Sequence, residues 1–427
     1  MSNQITPSGS FAVLRNNSDI RRIWAAQIVS ELGDWLTRIA VIAYVANATG
    51  QTALSIAIVQ ALMLAPYFFV SPFAGVLADK LPRRSVMFWV DAIAAVVVLS
   101  YLWVFSVPAT GFALWALSII VTVHLSLAAV FEASRTSLIA AVAKPHELAG
   151  ANALSQTTWS VCLALGSALG GFLVSKFGTN TAVVIDSLTF MAGCCIILTI
   201  RGGRAAAATQ AVAHDSGSLR DAILYLRARP TIVALLVPKL VLGLVGINEI
   251  TFALIGPRLF GVGAEHGLFQ YYVAVGIGTL LGQPIGFALA RGNPAKMRIG
   301  IGIAFLFESA IFSLTLISNS LSMIVAVAGL ATAGGSVIWT FSCTLLQRST
   351  PDRVTGRAIA LDLGFFTMTV AASIIAGGFL YDYFNLGVRL MLGVATGIYA
   401  FGGIVWFAVM YAFRGRIWEG DAGRPES

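Results

Sequence analysis

Apolar runs of about 20 residues or more recur along the whole chain, separated by short stretches rich in Gly, Pro, Asp, Lys and Arg. A helix rises about 1.5 Å per residue, so each run is long enough to cross a hydrocarbon core roughly 30 Å thick. Strands of a barrel would instead read as alternating segments of about ten residues. The pattern predicts twelve helical spans: Ile20 to Ala48, Thr52 to Ala78, Ser85 to Val107, Gly111 to Ala141, Leu148 to Lys176, Asn180 to Ile200, Thr231 to Pro257, Gly267 to Ala290, Met297 to Ile317, Leu321 to Gln347, Val354 to Tyr381 and Gly387 to Phe413. The long polar connection, Arg201 to Pro230, divides them six and six. Within it Leu219, Ile223 and Leu226 share one helical face, which predicts a short amphipathic helix at the membrane surface. The expected organisation is a tail over 1–19, a six-helix bundle over 20–200, a linker over 201–230, a second six-helix bundle over 231–413 and a tail over 414–427.

Composition agrees with this reading. Hydrophobic residues make up 58% of the chain and charged residues 11%, against roughly 25% charged in soluble domains. The fold class is therefore all-α and integral to the membrane. Met1 to Asn17 is polar and the first apolar run is long and carries charge, so it reads as a retained span rather than a cleaved signal. The net charge of +8 follows topology. Lys176, Arg258 and Arg389 fall in one set of connections, Arg38 and Lys239 lie within spans, and the other cations gather at the amino terminus, the even-to-odd connections and the carboxyl tail. By the positive-inside rule both termini are cytoplasmic, in a membrane of the bacterial inner type, and nucleic acid is not an expected partner. Cys162, Cys194, Cys195 and Cys343 lie in apolar runs without an acid or histidine at ligand spacing, so neither a disulfide nor a metal site is expected. The chain has no Gly-x-x-x-x-Gly-Lys-[Ser/Thr] loop and no nucleophile with a base nearby, so no enzyme activity and no cofactor are expected. Energy would come from an ion gradient, a proton gradient foremost, or from the substrate's own gradient.

Three pairs of segments repeat at a shift of about 210 residues. Gly170-Gly171-Phe172-Leu173 followed by Phe177 recurs as Gly377-Gly378-Phe379-Leu380 followed by Phe384. Pro145 to Gly150 recurs loosely as Pro351 to Gly356, and Gly75 to Arg84 has a worn copy at Gly286 to Arg291. Two copies of an even number of helices lie parallel in topology and leave an interface where a substrate can bind.

Gly75-Val76-Leu77-Ala78-Asp79-Lys80-Leu81-Pro82-Arg83-Arg84 packs a glycine, one acid and three cations into the turn between two spans. It resembles the loop signature of the major facilitator superfamily, with Gly75, Asp79, Lys80, Arg83 and Arg84 in place and Pro82 where that family usually has glycine. The resemblance covers essentially the full chain. Leu32 to Arg38, Thr49-Gly50, and Glu147-Leu148 with Ala151-Asn152-Ala153-Leu154 are similar to the drug-efflux branch that holds macrolide exporters and, more distantly, enterobactin exporters. It implies a secondary transporter that works by alternating access as a monomer, with proton-coupled efflux of a hydrophobic or amphipathic molecule as the expected activity. A siderophore or metabolite exporter is the alternative within the class, and a non-transporting membrane sensor or scaffold is the alternative outside it. The expected partners are the small-molecule substrate and membrane lipids.

The resemblance also implies a latch, in which Asp79 meets the start of the helix beginning near Val354 and Arg135 is its basic partner. Asp91, Glu132 and Asp362 belong to the same cluster. For Lys80, Arg83 and Arg84 the alternative is that they only fix topology by binding anionic head groups.

Ionisable residues inside spans are costly and each needs a reason. In the first span Gln27, Glu31, Asp34 and Arg38 fall within about 60° of one another at 100° per residue. Counted from Arg22, Glu31 lies roughly 13 Å, Asp34 roughly 18 Å and Arg38 roughly 24 Å deep. Either Glu31 or Asp34 carries a coupling proton, or Asp34 and Arg38 form a static pair. In the seventh span Glu249, with Asn248 beside it, either bridges to Arg38 or recognises a cationic substrate. Lys239 is expected to snorkel to the surface. Glu308 reads as a structural contact or a neutral carboxyl, Asp186 and Asp382 as solvated near the outer surface, and His124 as a proton relay or a packing residue.

Overall fold

In the computed structural model, which describes residues 10–70, 73, 81–108, 110–144, 146–201 and 225–414, each predicted span is helical over most of its described part, and one is broken. In chain order the helices are α1 (Ser10–Asn16), α2 (Ser18–Ala48), α3 (Ala53–Phe69), α4 (Arg83–Ser106), α5 (Gly111–Val142), α6 (Leu148–Phe177), α7 (Thr179–Leu198), α8 (Pro230–Ala234), α9 (Val237–Leu244), α10 (Ile247–Ile255), α11 (Ala264–Ala290), α12 (Pro294–Ser313), α13 (Leu321–Ser349), α14 (Asp352–Tyr383) and α15 (Val388–Ala412). Among the described residues there is no strand. Ten helical stretches among them are long and apolar enough to cross a membrane; α2, with its ionisable stripe, and the 17-residue α3 lie outside that set.

The chain divides into two compact units, residues 1–50 with 62–214, and residues 51–61 with 215–427. The first turns of α3 therefore pack with the second unit. In the first unit Ile20, Ile23 and Ala26 of α2 bury against Val86 and Met87 of α4, Phe131 and Leu138 of α5 and Ile197 of α7. In the second, Leu226, Ile232, Leu236, Leu346 and Ala358 form an apolar cluster, and buried Trp406 donates its indole N–H to the Arg298 carbonyl at 2.7 Å. Leu219 and Ile223 of the expected amphipathic helix lie outside the described residues.

The repeated Gly-Gly-Phe-Leu segments do one job in each unit. A Cβ on Gly170 of α6 would lie 3.2 Å from the Leu36 backbone of α2, and a Cβ on Gly377 of α14 would lie 2.8 Å from Ile247 of α10. Only a residue without a side chain allows such close helix approach.

The span expected over Thr231 to Pro257 is not one helix. It is broken into α8, α9 and α10 and closes in a π-helical turn at Gly256–Phe260. Pro238 and Pro257 each lack the N–H that would continue the ladder. At the break between α9 and α10, the Ser373 hydroxyl accepts the Ile247 N–H at 3.0 Å and donates to the Leu244 carbonyl. Freed backbone groups inside a membrane need such partners, and here one side chain of α14 satisfies both.

The start of α3 is capped from elsewhere in its unit. The exposed Asp382 carboxylate at the end of α14 accepts the N–H groups of Ala53 at 3.1 Å and Leu54 at 2.8 Å. A carboxylate at a helix N-terminus meets both the unsatisfied donors and the positive end of the dipole. Asp382→Ala is expected to cost about 1 kcal/mol, the usual cost of losing a cap, read as a lowered thermal midpoint in detergent. An unchanged midpoint would show that the contact contributes nothing to stability.

Candidate functional site

The stripe on α2 sits in a hydrogen-bonded network inside the first unit. Gln27 donates from Nε2 to Glu31 Oε1 at 2.8 Å. Arg135 of α5 donates from Nη1 to Gln27 Oε1 at 2.7 Å and to Ser155 Oγ of α6 at 2.9 Å. Its Nη2 also grips both oxygens of Glu132, at 2.5 and 2.6 Å. Residues assigned from sequence to a transport cavity and to a latch are thus joined in one network across α2, α5 and α6. The second Glu31 oxygen, Oε2, is buried and has no hydrogen-bond partner among the described residues.

One turn further along α2, Asp34 Oδ1 lies 3.2 Å from Nε2 of His124 on α5. His124 is buried, with its Nδ1 3.4 Å from the Tyr101 hydroxyl and its ring edge-on to Phe190. Asp186 of α7 joins them. It is fully buried rather than solvated, because Thr37 and Thr189 donate their hydroxyls to it, the latter at 3.2 Å. Ligand atoms of Asp34, His124 and Asp186 lie within 4.8 Å of one another, the group among the described residues that could hold a metal ion. The Asp34 side chain is 30% exposed, whereas His124 and Asp186 are buried. Arg38 places its guanidinium 5.2 Å over the Trp35 ring. Asp91 is buried on α4 and accepts the Ser30 hydroxyl of α2 at 3.2 Å, a tie between helices inside the unit.

In the second unit Lys239 does not snorkel. It is 1% exposed and pairs with the equally buried Asp362 of α14, with Cys343 Sγ at 3.0 Å and the Trp339 ring at 4.2 Å. Asp362, expected in the latch cluster, is thus held by a cation of α9. Glu249, two residues into α10 from the break, accepts the Tyr272 hydroxyl, and Asn248 donates to the Tyr399 hydroxyl at 3.4 Å. Arg38 belongs to the first unit and Glu249 to the second. Glu308 of α12 is buried against α13, where a Cβ on Gly334 would sit 2.7 Å from its side chain.

Of the loop signature, Gly75, Asp79 and Lys80 lie outside the described residues. Arg83 donates to the Ser137 carbonyl near the end of α5 at 3.2 Å. Arg84 donates to the carbonyls of Ile197 at 3.0 Å and Leu198 at 2.5 Å at the end of α7. Arg84 therefore engages a helix carboxyl end, where its charge complements the dipole.

Ser155, Thr37, Ser373, Tyr272 and Tyr399 were not legible as site residues, since hydroxyls are common in apolar helices. Asp186 and Lys239 did carry a signal: each is an ionisable residue inside an apolar run, and such residues usually have a buried partner.

Apolar helices with ionisable groups tied together inside each unit, and a helix broken beside one of those groups, define a membrane transporter architecture. The chain belongs to the transmembrane secretion effector family of the major facilitator superfamily, which matches residues 8–421. It is 23% identical to the Bacillus subtilis MFS-type transporter YfiS over 89% of this chain and 91% of that one. It is 26% identical to macrolide efflux protein A of Streptococcus pyogenes over 39% of this chain and 40% of that one. A crystal structure of the nucleoside transporter NupG, in a point-mutant form, has the same fold at 14% identity and a TM-score of 0.70, over 91% of this chain and 99% of that one. A POT family transporter in complex with a thioalcohol conjugated peptide does so at 12% identity and a TM-score of 0.68, over 97% and 99%. The chain is a multi-pass membrane transporter of the MFS type.

Proposed function

We propose that the protein is a secondary transporter that works by alternating access and exports a hydrophobic or amphipathic small molecule in exchange for protons. Twelve spans, both termini in the cytoplasm and a place in the bacterial inner membrane complete the reading, supported by the distribution of cations and the length of the apolar helices. The similarity to macrolide efflux protein A supports export of a macrolide-like substrate. The observation that carries proton coupling is Glu31, a carboxylate with one oxygen held by Gln27 and the other buried without a partner among the described residues. A proton on Oε2 would cover the unpaired oxygen, and its arrival or departure would alter the balance with Gln27, Arg135, Glu132 and Asp34 around it.

In this reading Asp34 and Arg38 act with Glu31 on α2, Glu249 and Asn248 take part within the second unit, and Gly75, Asp79 and Lys80 with Arg83 and Arg84 form the latch. Discontinuous helices commonly mark substrate sites in transporters, and Glu249 stands beside such a break. The test is the pH inside sealed vesicles holding the purified protein as macrolides and hydrophobic cations are added. Substrate-dependent proton movement is expected for the native chain, and Glu31→Gln is expected to reduce it to background while substrate still binds. Proton movement that persists undiminished in Glu31→Gln would remove Glu31 from the mechanism, and none with any substrate in the native protein would remove proton exchange.

A further inference from the structure

A cavity of about 490 Å³ opens in the first unit between Arg22, Arg84 and Arg201, with Leu198, Thr199 and Ile200 as the rest of its lining. It lies where the start of α2, the start of α4 and the end of α7 come together. Arg22 is paired with Asp19 at 3.0 Å, and the same Asp19 oxygen accepts the Arg201 backbone N–H at 3.0 Å. Arg84 is fixed by the carbonyls of Ile197 and Leu198. Three arginines thus line the cavity beside one carboxylate, with the amino-terminal ends of α2 and α4 at its edge and the carboxyl end of α7 already covered by Arg84. Arginine is suited to binding phosphate because its planar fork presents parallel N–H donors.

Two sources of phosphate fit this chemistry, a lipid headgroup and the free ion, and the neighbouring surface separates them. Val184, Leu188, Met191 and Leu198 stand exposed on α7, at spacings of four, three and seven residues that place them on one face. Leu198, the last of them, also lines the cavity. A free ion has no use for an apolar strip leading away from its site, whereas acyl chains would lie along it. We propose that this cavity holds the phosphate headgroup of an anionic phospholipid whose chains run along the exposed face of α7. The site is separate from the Glu31 network and does not depend on which substrate is carried.

The test uses the full chain, purified in detergent, stripped of lipid and titrated with phosphatidylglycerol or phosphatidylcholine under native mass spectrometry. One phosphatidylglycerol is expected to be retained, preferred over phosphatidylcholine by about tenfold, and Arg22→Gln and Arg201→Gln are each expected to weaken it by about fivefold, the contribution of one cation at an anionic lipid surface. Arg84 is left in place because it also ends α7. Both variants are checked for an unchanged thermal midpoint, and the preference between lipids in the native chain tests the site without any substitution. Equal retention of the two lipids overturns the proposal, as does retention unchanged in both variants. Displacement of the lipid by millimolar inorganic phosphate also overturns it, in favour of the free ion. No transport is measured, so either result stands apart from the export reading.

Discussion

Lys239→Met is expected to lower the free energy of unfolding by about 3–5 kcal/mol, the usual cost of leaving one member of a buried ion pair alone. Lys239 and Asp362 are both 1% exposed. Their pairing joins α9 to α14, and Asp362 Oδ1 has no hydrogen-bond partner of its own among the described residues. Methionine fills much of the lysine stem but provides no donor, so the Asp362 carboxylate keeps its burial and loses its cation. Adding Asp362→Leu removes the stranded charge, and the double variant is expected to recover most of the loss, since apolar replacement of a buried pair is often neutral. The size of the effect discriminates between accounts. Neutral hydrogen bonds between membrane helices average only about 0.6 kcal/mol, so a loss of that order, or a double variant no better than the single, would mean that the pair is not held as an ion pair. Denaturation in mild detergent, followed by tryptophan fluorescence, reads both.

Lys239 also shows where sequence reasoning stops. The apolar runs and their ends were legible because hydrophobicity and helix length are local, and α2, α5 and α13 begin within a few residues of where the pattern places them. The stripe of Gln27, Glu31 and Asp34 was legible for the same reason, since helical periodicity places those residues on one face. Depth was not legible. Asp186 was read as solvated from its position near a helix end, but its donor Thr37 is 149 residues away in sequence, and only the packing of α2 on α7 brings the two together. The break in the seventh span was hidden likewise. Pro238 and Pro257 were visible, yet the hydroxyl that makes the gap between α9 and α10 tolerable belongs to Ser373, 126 residues beyond Ile247. The latch role of Arg135 follows from the resemblance alone, and its contacts with Gln27 and Ser155, which join it to the α2 network, depend on packing that no local pattern shows.

Arg135→Ala is expected to abolish substrate-driven proton movement while costing less stability than Lys239→Met. Arg135 itself is buried, but its partner Glu132 is 48% exposed along the side chain. Water can therefore solvate Glu132 once the arginine is gone, which limits the stability loss to about 1–3 kcal/mol. The functional loss has a different origin. Without Arg135, Gln27 Oε1 loses its donor at 2.7 Å and the amide that holds Glu31 is no longer oriented. Glu31 would then keep its carboxyl but not the geometry that links a proton on it to α5 and α6. Arg135→Lys separates the two effects. A lysine keeps one charge for Glu132, but its single ammonium cannot reproduce the fork that reaches Glu132, Gln27 and Ser155 together. Stability is therefore expected to return in Arg135→Lys and proton movement is not. Stability and proton movement that recover together in the lysine variant would show that the charge alone matters; proton movement left intact in Arg135→Ala would show that Glu31 is organised without it.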